Sequence, residues 1–438
     1  MGRTYFLIAV SLVFYACGQW QGIPCLLLSA VVSFAAGFFM GRTRRKKALL
    51  VLGLAFHLLF LGAFKYLDFF TGSLNSLLGT EFPAAGLLLP VGISFFTFKS
   101  MSYLIDVYRD ENAAARRFSD LLLYVSFFPQ VVSGPIARFG PFLQGRESAR
   151  PGSEQCAQGL RRFTVGLAKK ALISEMTAGV VNTAFSLGGG LDWRMAWLGA
   201  AAYTLQIYFD FSGYSDMAIG LGTLLGFRTP ENFDHPYVSS SITEFWRRWH
   251  LSLSFWFRDY LYIPLGGGRR GTARKCLNKA VVFLLCGLWH GASWTFVLWG
   301  AWHGLLSSLE SVLPMKRLLE RPLGRFLGHV YTLLAVCLGF VVFRAASVGE
   351  AWTVLRAMFS GFTLSPASTL ALEQISPAVW CALGAGVLGS LPVGPWLKKR
   401  LSGGGWTVLS YAGTTGLFVL CLLAAAGSRF QPFIYAQF

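Results

Sequence analysis

Charged residues are scarce in this 438-residue chain, because Asp, Glu, Lys and Arg together make up only 13% of it. Soluble domains carry about 25% charged residues, so a water-soluble protein this apolar could not cover its surface. Hydrophobic residues instead supply 54% of the sequence. The composition therefore excludes a soluble globular protein and predicts an all-α, polytopic membrane protein.

Several catalytic motifs are also missing. The sequence contains no GxSxG, no P-loop, no HExxH and no CxxC, so a serine hydrolase, an NTPase and a metalloprotease have no support. Most of the eight cysteines lie in apolar runs, where a free cysteine behaves as a small hydrophobe. We predict neither a disulfide framework nor a metal site.

Acidic residues are fewer than basic ones, which gives the chain a formal net charge of +18. The basic residues lie in short runs between apolar stretches and form no continuous stripe, so nucleic-acid binding is disfavoured. The positive-inside rule instead places these runs in cytoplasmic loops. They are Arg42–Lys47, Arg269–Lys279, Lys316–Arg325 and Lys398–Arg400.

A membrane-spanning helix needs about 20 mainly apolar residues, and about ten or eleven stretches qualify. The first is expected to be a retained span and not a cleaved signal, because a second apolar stretch follows it directly. Leu121–Val132 is too short to span and is expected to be re-entrant or buried against other helices. The predicted spans lie near 4–20, 23–40, 48–70, 86–107, 163–187, 194–225, 279–311 (one or two), 328–346, 376–393 and 405–427.

Residues 228–278 form the longest non-spanning segment, and they are rich in aromatics. Ser241 and Glu244 have the spacing of a capping box, which predicts a helix over 242–261. Its aromatic residues recur at helical spacing and define one face, whereas Arg247 points elsewhere. We expect an amphipathic helix that lies in the interface or enters the bundle, with His250 on or beside its aromatic face.

The six histidines differ in context. His250 and His290 lie among Trp and Phe, where desolvation favours the neutral ring that a general base requires. An ionisable group at membrane depth is by default a functional candidate, although two core histidines bonded to backbone carbonyls would give the same pattern. His303 is undecided between the two roles. The remaining three are expected to be structural, interfacial or turn residues: His57, His329 and His235.

Two carboxylates, Asp210 and Asp216, lie within one apolar run. They could orient a histidine, bind a polar acceptor or pair with an arginine, and the sequence leaves these alternatives open.

A series of motifs follows one another along the chain: Leu89–Phe98, Phe127–Pro135, Tyr208–Asp216, Pro230–Phe233, Phe245–His250, Arg258–Gly267, Gly287–Trp294 and Gln431–Tyr435. In this order they resemble the membrane-bound O-acyltransferase (MBOAT) family, and within it the bacterial alginate and peptidoglycan O-acetyltransferase branch. The resemblance covers residues 85–310 well and the rest loosely. A D-alanyl transferase branch acting on teichoic acid is similar in architecture.

The resemblance implies a ring of spanning helices around a central tunnel, with re-entrant or interfacial helices. It implies a single membrane domain over 1–438, with peripheral spans in 1–85, a catalytic core in 86–311 and further spans in 312–438. It also implies that His290 is the essential histidine and His250 a second one in the active site.

The resemblance further implies an acyl donor that arrives from the cytoplasm, either acetyl-CoA or a carrier-bound thioester, and no permanently bound cofactor. The final acceptor would be a cell-envelope polysaccharide, reached with the help of an extracytoplasmic acyltransferase partner, at the bacterial inner membrane. A transporter without chemistry and a non-catalytic scaffold remain alternatives. Candidate substrate-binding residues are Trp246, Trp249, Trp289, Trp294, Asp210, Asp216 and Asn232, and candidate donor-binding residues are Arg269, Arg270, Arg274 and Lys275.

Acyl transfer to a hydroxyl needs a proton acceptor and stabilisation of the oxyanion. Neutral His290 is a suitable base, and His250 could orient the thioester or relay the proton. Backbone N–H groups freed near Gly291, or an indole N–H of Trp289 or Trp294, could face the oxyanion.

Overall fold

A computed structural model describes residues 2–147, 151–360, 362–427 and 433–434. Within these ranges every regular element is helical and no strand occurs, which confirms the all-α fold class. The chain divides into two compact units, one of Met1–Leu160 with Ala218–Pro230 and one of Arg161–Met217 with Glu231–Phe438.

The α-helices are numbered here in chain order. They are α1 (Gly2–Gln19), α2 (Ile23–Met40), α3 (Lys46–Leu61), α4 (Leu67–Leu78), α5 (Ile93–Arg109), α6 (Phe118–Ser126), α7 (Phe139–Glu147), α8 (Ser153–Ala168), α9 (Glu175–Ser186), α10 (Trp193–Leu224), α11 (Ile242–Phe245), α12 (Leu251–Phe257), α13 (Thr272–His290), α14 (Trp294–Val312), α15 (Met315–Glu320), α16 (Pro322–Arg344), α17 (Val348–Ser360), α18 (Pro366–Glu373), α19 (Pro377–Ser390), α20 (Val393–Arg400) and α21 (Gly403–Gly427).

In the first unit, polar side chains link helices that are otherwise apolar. Ser29 Oγ on α2 lies 3.0 Å from Ser100 Oγ on α5, and Ser33 Oγ on α2 lies 2.9 Å from Nε2 of His57 on α3. Hydrogen bonds of this kind join helices where no water is present to compete. The buried His57 therefore has the structural environment that the sequence predicted for it.

The predicted re-entrant segment Leu121–Val132 is buried. Helix α6 ends at Ser126, and Leu121 and Val131 are almost inaccessible. Gly92, at φ 71°, precedes α5, and a Cβ atom there would lie 2.0 Å from the Val131 carbonyl oxygen. Only glycine permits this conformation at such close approach, so α5 starts later than the span predicted near residue 86.

In the second unit, α13 and α14 form an antiparallel pair. A Cβ atom on Gly287 would lie 2.2 Å from the Phe296 carbonyl oxygen, and one on Gly300 would lie 2.4 Å from the Phe283 carbonyl oxygen. Small residues at a helix crossing let two backbones approach each other closely. The stretch predicted at 279–311 as one or two spans is therefore two helices.

Within the described residues, four helical stretches are long and apolar enough to cross a membrane, and α18 with α19 would make a fifth. This is fewer than the ten or eleven predicted spans, because several predicted spans form shorter or more polar helices. For example, α5 has 17 residues, and the first turns of α13 carry basic side chains. The four stretches are Gly2–Met40, Lys46–Leu78, Pro322–Arg344 and Gly403–Gly427.

The continuous helix predicted over 242–261 is wrong. Its start is correct, since the Glu244 N–H donates to Ser241 Oγ at 3.0 Å and α11 begins at Ile242. However, α11 ends at Phe245, and α12 starts only after His250, whose φ of 44° lies in the left-handed region. An L-residue in that region cannot continue a right-handed helix. Trp249 and Trp256, which belong to the aromatic residues of this segment, are nevertheless buried.

Candidate active site

His290 is the last residue of α13 and is almost completely buried. Its ring centroid lies 5.1 Å from that of Trp289, 5.0 Å from that of Trp299 and 5.2 Å from that of Phe343. These three rings come from α13, α14 and α16, so three helices together enclose the imidazole. The imidazole therefore lies in an almost wholly apolar environment.

The end of α13 is fixed by the residues that follow His290. Gly291 is extended, and the Ser293 side chain caps α14 by accepting a hydrogen bond from the Thr295 N–H. A Cβ atom on Gly291 would lie 2.1 Å from the Phe296 ring. The helix therefore breaks directly after His290, as the glycine pattern suggested, and the space that Gly291 leaves is filled by Phe296.

His250 is fully buried and precedes α12. Its Nδ1 lies 3.0 Å from Oδ1 of Asn232, an equally buried residue. The same Oδ1 accepts hydrogen bonds from the Ser252 N–H at 3.2 Å and the Ser252 hydroxyl at 2.9 Å. Asn232 Nδ2 in turn donates to Ser215 Oγ at 3.0 Å.

These contacts determine the tautomer of His250. A backbone N–H can only donate, so the atom of Asn232 that faces Ser252 must be the amide oxygen. His250 Nδ1 must then carry the proton, which makes Nε2 the basic nitrogen. Burial lowers the pKa of His250 to about 3, so the ring is neutral near pH 7. Asn232, one of the predicted substrate-binding residues, contacts His250 in this structure, and its role in binding substrate stays a prediction.

The two histidines flank the same indole. The Trp289 centroid lies 5.9 Å from that of His250 and 5.1 Å from that of His290. His250 also packs edge-to-face on Phe211, at 4.6 Å. The structure therefore brings together the two histidines that the sequence singled out, around the predicted Trp289.

Trp246, another predicted residue, makes its polar contact with His303. The indole Nε1–H donates to His303 Nδ1 at 3.2 Å, and the His303 ring is fully buried. Trp299 lies between the histidines of α13 and α14, with its centroid 5.0 Å from both His290 and His303. Neither Trp299 nor Phe343 was among the candidates predicted from the sequence.

A largely apolar cavity of about 190 Å³ lies beside this aromatic cluster. Trp246, Phe257, Phe283 and Cys286 contribute apolar walls, and two cationic side chains also line it. These are Arg258, which is paired with Asp259, and Lys279, whose ammonium donates to Ser307 O and Ser311 Oγ. Cys286 precedes His290 by one helical turn, so cavity and histidine lie along the same face of α13.

Both carboxylates of the 208–216 motif form ion pairs with cations. Asp216 lies 2.7 Å from both Arg162 and Lys169, and Asp210 lies 2.8 Å from Lys170. Among the three alternatives the structure thus favours pairing with a cation.

Asp210 also accepts a hydrogen bond from the backbone N–H of Ile434 at 2.8 Å. Of the closing motif Gln431–Tyr435, Phe433 and Ile434 are the two described residues, and the others lie outside the described part of the chain.

The four predicted donor-binding residues lie in or just after the turn that precedes α13. Arg269 and Arg270 are exposed, whereas Arg274 and Lys275 are half-buried. Arg274 donates to the Leu265 carbonyl at 3.4 Å. The turn is held by Asn278, whose Nδ2 donates to the Gly267 carbonyl at 2.8 Å, a contact that the sequence did not suggest.

The remaining candidates have different environments. Trp249 is buried among Phe245, Phe233 and Phe340, with centroids 5.0 to 5.4 Å away. Trp294 is 55% exposed, so the burial of His290 is provided mainly by other rings. The substrate-binding roles of both remain predictions.

The sequence is similar to that of several characterised groups of proteins. Residues 91–348 match the model of the membrane-bound O-acyltransferase family. The chain is 44% identical over 391 residues to the "Probable alginate O-acetylase AlgI" of Azotobacter vinelandii, covering 86% of this chain and 77% of that protein. It is 35% identical over 404 residues to a peptidoglycan O-acetyltransferase of Helicobacter pylori, covering 85% and 77%. A teichoic acid D-alanyltransferase of Bacillus subtilis is 29% identical over 280 residues, covering 60% and 70%.

Proposed function

Because this chain belongs to the membrane-bound O-acyltransferase family, we propose that it carries an acetyl group from a cytoplasmic thioester across the membrane to a hydroxyl on the cell envelope, with His290 as general base. The chain is an integral membrane O-acetyltransferase of the alginate and peptidoglycan type. The donor, the direction of transfer and the role of His290 are the proposed parts.

The observation that carries the proposal is the pairing of two buried histidines around Trp289. A base that works near neutral pH must be neutral before it acts, and the aromatic cage of His290 favours that form. His250 has a defined tautomer because Asn232 accepts its Nδ1 proton. It therefore presents a lone pair at Nε2, which suits it to orient a substrate hydroxyl or to relay a proton.

The proposed step has a simple balance. His290 takes the proton from the acceptor hydroxyl while the hydroxyl oxygen attacks the thioester carbonyl carbon, so that a C–O bond forms. Collapse of the tetrahedral intermediate breaks the C–S bond, and the proton on His290 passes to the thiolate. The products are an acetyl ester and a free thiol, and no redox partner is needed.

The cavity beside Trp246 suits the donor. A phosphopantetheine arm is slender and carries its methylene and methyl groups between two amides, whereas its phosphate end is anionic. Lys279 uses two of its three N–H donors on Ser307 and Ser311, which leaves one for an anion. Arg269, Arg270, Arg274 and Lys275 supply further positive charge for the phosphates of CoA or of a carrier protein. We propose acetyl-CoA or a carrier-bound acetyl thioester as the donor.

The acceptor is proposed by analogy with the relatives, whose names specify alginate and peptidoglycan. We propose an envelope polysaccharide as the final acceptor, an extracytoplasmic acyltransferase as partner and the bacterial inner membrane as location. D-Alanyl transfer to teichoic acid is less favoured, because the D-alanyltransferase relative has a lower sequence identity to this chain and aligns with a smaller share of it.

The test is substitution of His290 in the native host. We expect His290→Ala to insert normally and to lose at least about 99% of O-acetyl transfer, since a positioned base contributes roughly 10²–10⁴-fold. The measurement is acetate released from the envelope polymer by mild base, normalised to protein in the membrane. His329→Ala is a matched control, because His329 bonds the Ser239 carbonyl and makes none of the contacts described around Trp289. Near-wild-type acetate from a stably inserted His290→Ala protein would refute the assignment.

A further inference from the structure

We propose that the Trp246 indole, held in place by His303, limits the length of the acyl group that this enzyme accepts. This inference rests on the proposed function, because it assigns the cavity beside Trp246 to the acyl donor. It adds to that function a specificity-determining residue and a positioning residue, neither of which contributes a proton-transfer step.

Trp246 belongs both to the cavity wall and to the aromatic cluster that packs on the candidate base. Its ring lines the cavity, and its centroid is 5.7 Å from that of Trp299. Trp299 in turn contacts His290 at 5.0 Å. An acyl group directed along α13 toward His290 therefore meets the indole, and each added carbon must occupy space close to that ring.

The indole is held by contacts on several sides. Phe245, Phe283 and His303 lie 5.1 to 5.7 Å from it, centroid to centroid. Its one polar atom donates to Nδ1 of the fully buried His303, and turning the ring away would leave that buried nitrogen without its donor, which is unfavourable. The wall is therefore rigid, and a longer acyl chain cannot displace it cheaply.

His303 is itself fixed, so that it can orient the indole. Its ring is fully buried and is packed between Trp299 and Phe283. Because Nδ1 accepts from Trp246, the proton of the neutral ring lies on Nε2, where a Cβ atom on Gly339 would come within 3.1 Å. Gly339 thus leaves room for the tautomer that keeps Nδ1 as acceptor.

The test compares acyl selectivity in native membranes. Acetyl-, propionyl- and butyryl-4′-phosphopantetheine, which carry the arm and the phosphate shared by CoA and acyl carriers, are supplied in equal amounts. The acids released from the polymer by mild base are then quantified. One methylene in an apolar pocket changes specificity by about 10–200-fold. The wild type should therefore favour acetyl over butyryl by at least about tenfold, the lower end of that range. Trp246→Leu should reduce this ratio at least about tenfold.

Two variants of His303 separate orientation from packing. His303→Phe keeps an aromatic ring but removes the acceptor, and should relax selectivity in the same direction as Trp246→Leu. His303→Gln offers an amide oxygen to the indole N–H and should retain more of the wild-type ratio. The ratio is measured within each membrane sample, so a reduced protein level does not obscure it.

The two proposals fail in distinguishable ways. If wild-type membranes transfer no acyl group from any of the three thioesters, the proposed donor is wrong, and this inference with it. If the wild type transfers acetyl but Trp246→Leu and His303→Phe keep its acetyl-to-butyryl ratio, the function stands and the selectivity role of Trp246 is refuted.

Discussion

Asn232 offers the sharpest test of how the two histidines are arranged. Its side-chain oxygen accepts three hydrogen bonds, from His250 Nδ1 and from the N–H and hydroxyl of Ser252. Asn232→Ala leaves two buried N–H donors without that acceptor, at about 1–3 kcal/mol each, so the site should lose about 2–6 kcal/mol. We expect a lower thermal midpoint in detergent and at least tenfold less acetyl transfer.

Asn232→Asp gives a cleaner prediction because it keeps the shape and the accepting oxygen. The new carboxylate lies beside His250, and an adjacent opposite charge raises a histidine pKa by about 1–3 units. Since burial holds the pKa of His250 at about 3 in the native protein, it should move to roughly 4–6. Below that value His250 is protonated and Nε2 can no longer accept a hydrogen bond.

The assay is acetyl transfer by membranes between pH 5 and 8. The Asn232→Asp enzyme should lose activity toward pH 5 more steeply than the wild type. Ser215→Ala is the control, because it removes only the partner of Asn232 Nδ2 and leaves the oxygen and its three bonds in place. If Asn232→Asp follows the wild-type pH profile and Asn232→Ala retains transfer within twofold, His250 is not oriented by Asn232 in the reaction.

Two further predictions concern packing and topology. Gly287→Ala should lower the thermal midpoint strongly and reduce transfer, because its Cβ atom would lie 2.2 Å from the Phe296 carbonyl oxygen; Gly416→Ala, with no neighbouring atom within 4 Å, should be tolerated. In a cysteine-free background, cysteines placed at Arg44 and Arg274 should both resist a membrane-impermeant thiol reagent in intact cells, because the stretches around both positions are rich in Lys and Arg. Strong labelling of either would overturn the shared cytoplasmic side.

The parts of the fold that depend on local sequence were predictable. The span predicted at 23–40 matches α2, where Gly22 and Pro24 separate two apolar stretches. The start of α11 followed from the capping pattern of Ser241 and Glu244. In each case residues only a few positions apart determine the outcome.

The contacts that make the site depend on residues that are distant in sequence. Phe343 on α16 contacts His290 on α13, and no periodicity links the two helices. Asn232 lies in a loop before α11, and its contact with His250 depends on how that loop folds back, with the Leu251 N–H donating to the Asn232 carbonyl at 2.9 Å. A single sequence offers no signal for either pairing.

The conformation of His250 could not be anticipated, yet it is the strongest reason to regard this residue as functional. A left-handed conformation costs an L-residue about 1–2 kcal/mol. The cost is absent for glycine and smaller for asparagine. Histidine at φ 44° bears this cost, although histidine adopts the region more often than most side chains do, and His235 has a similar φ of 45°. Asn232 holds this conformation at two points. Its side-chain oxygen accepts a hydrogen bond from the His250 ring, and its backbone carbonyl accepts one from the N–H of the next residue, Leu251. Strain that is held in this way, at a ring that lies beside the same indole as His290, points to a side chain retained for its imidazole.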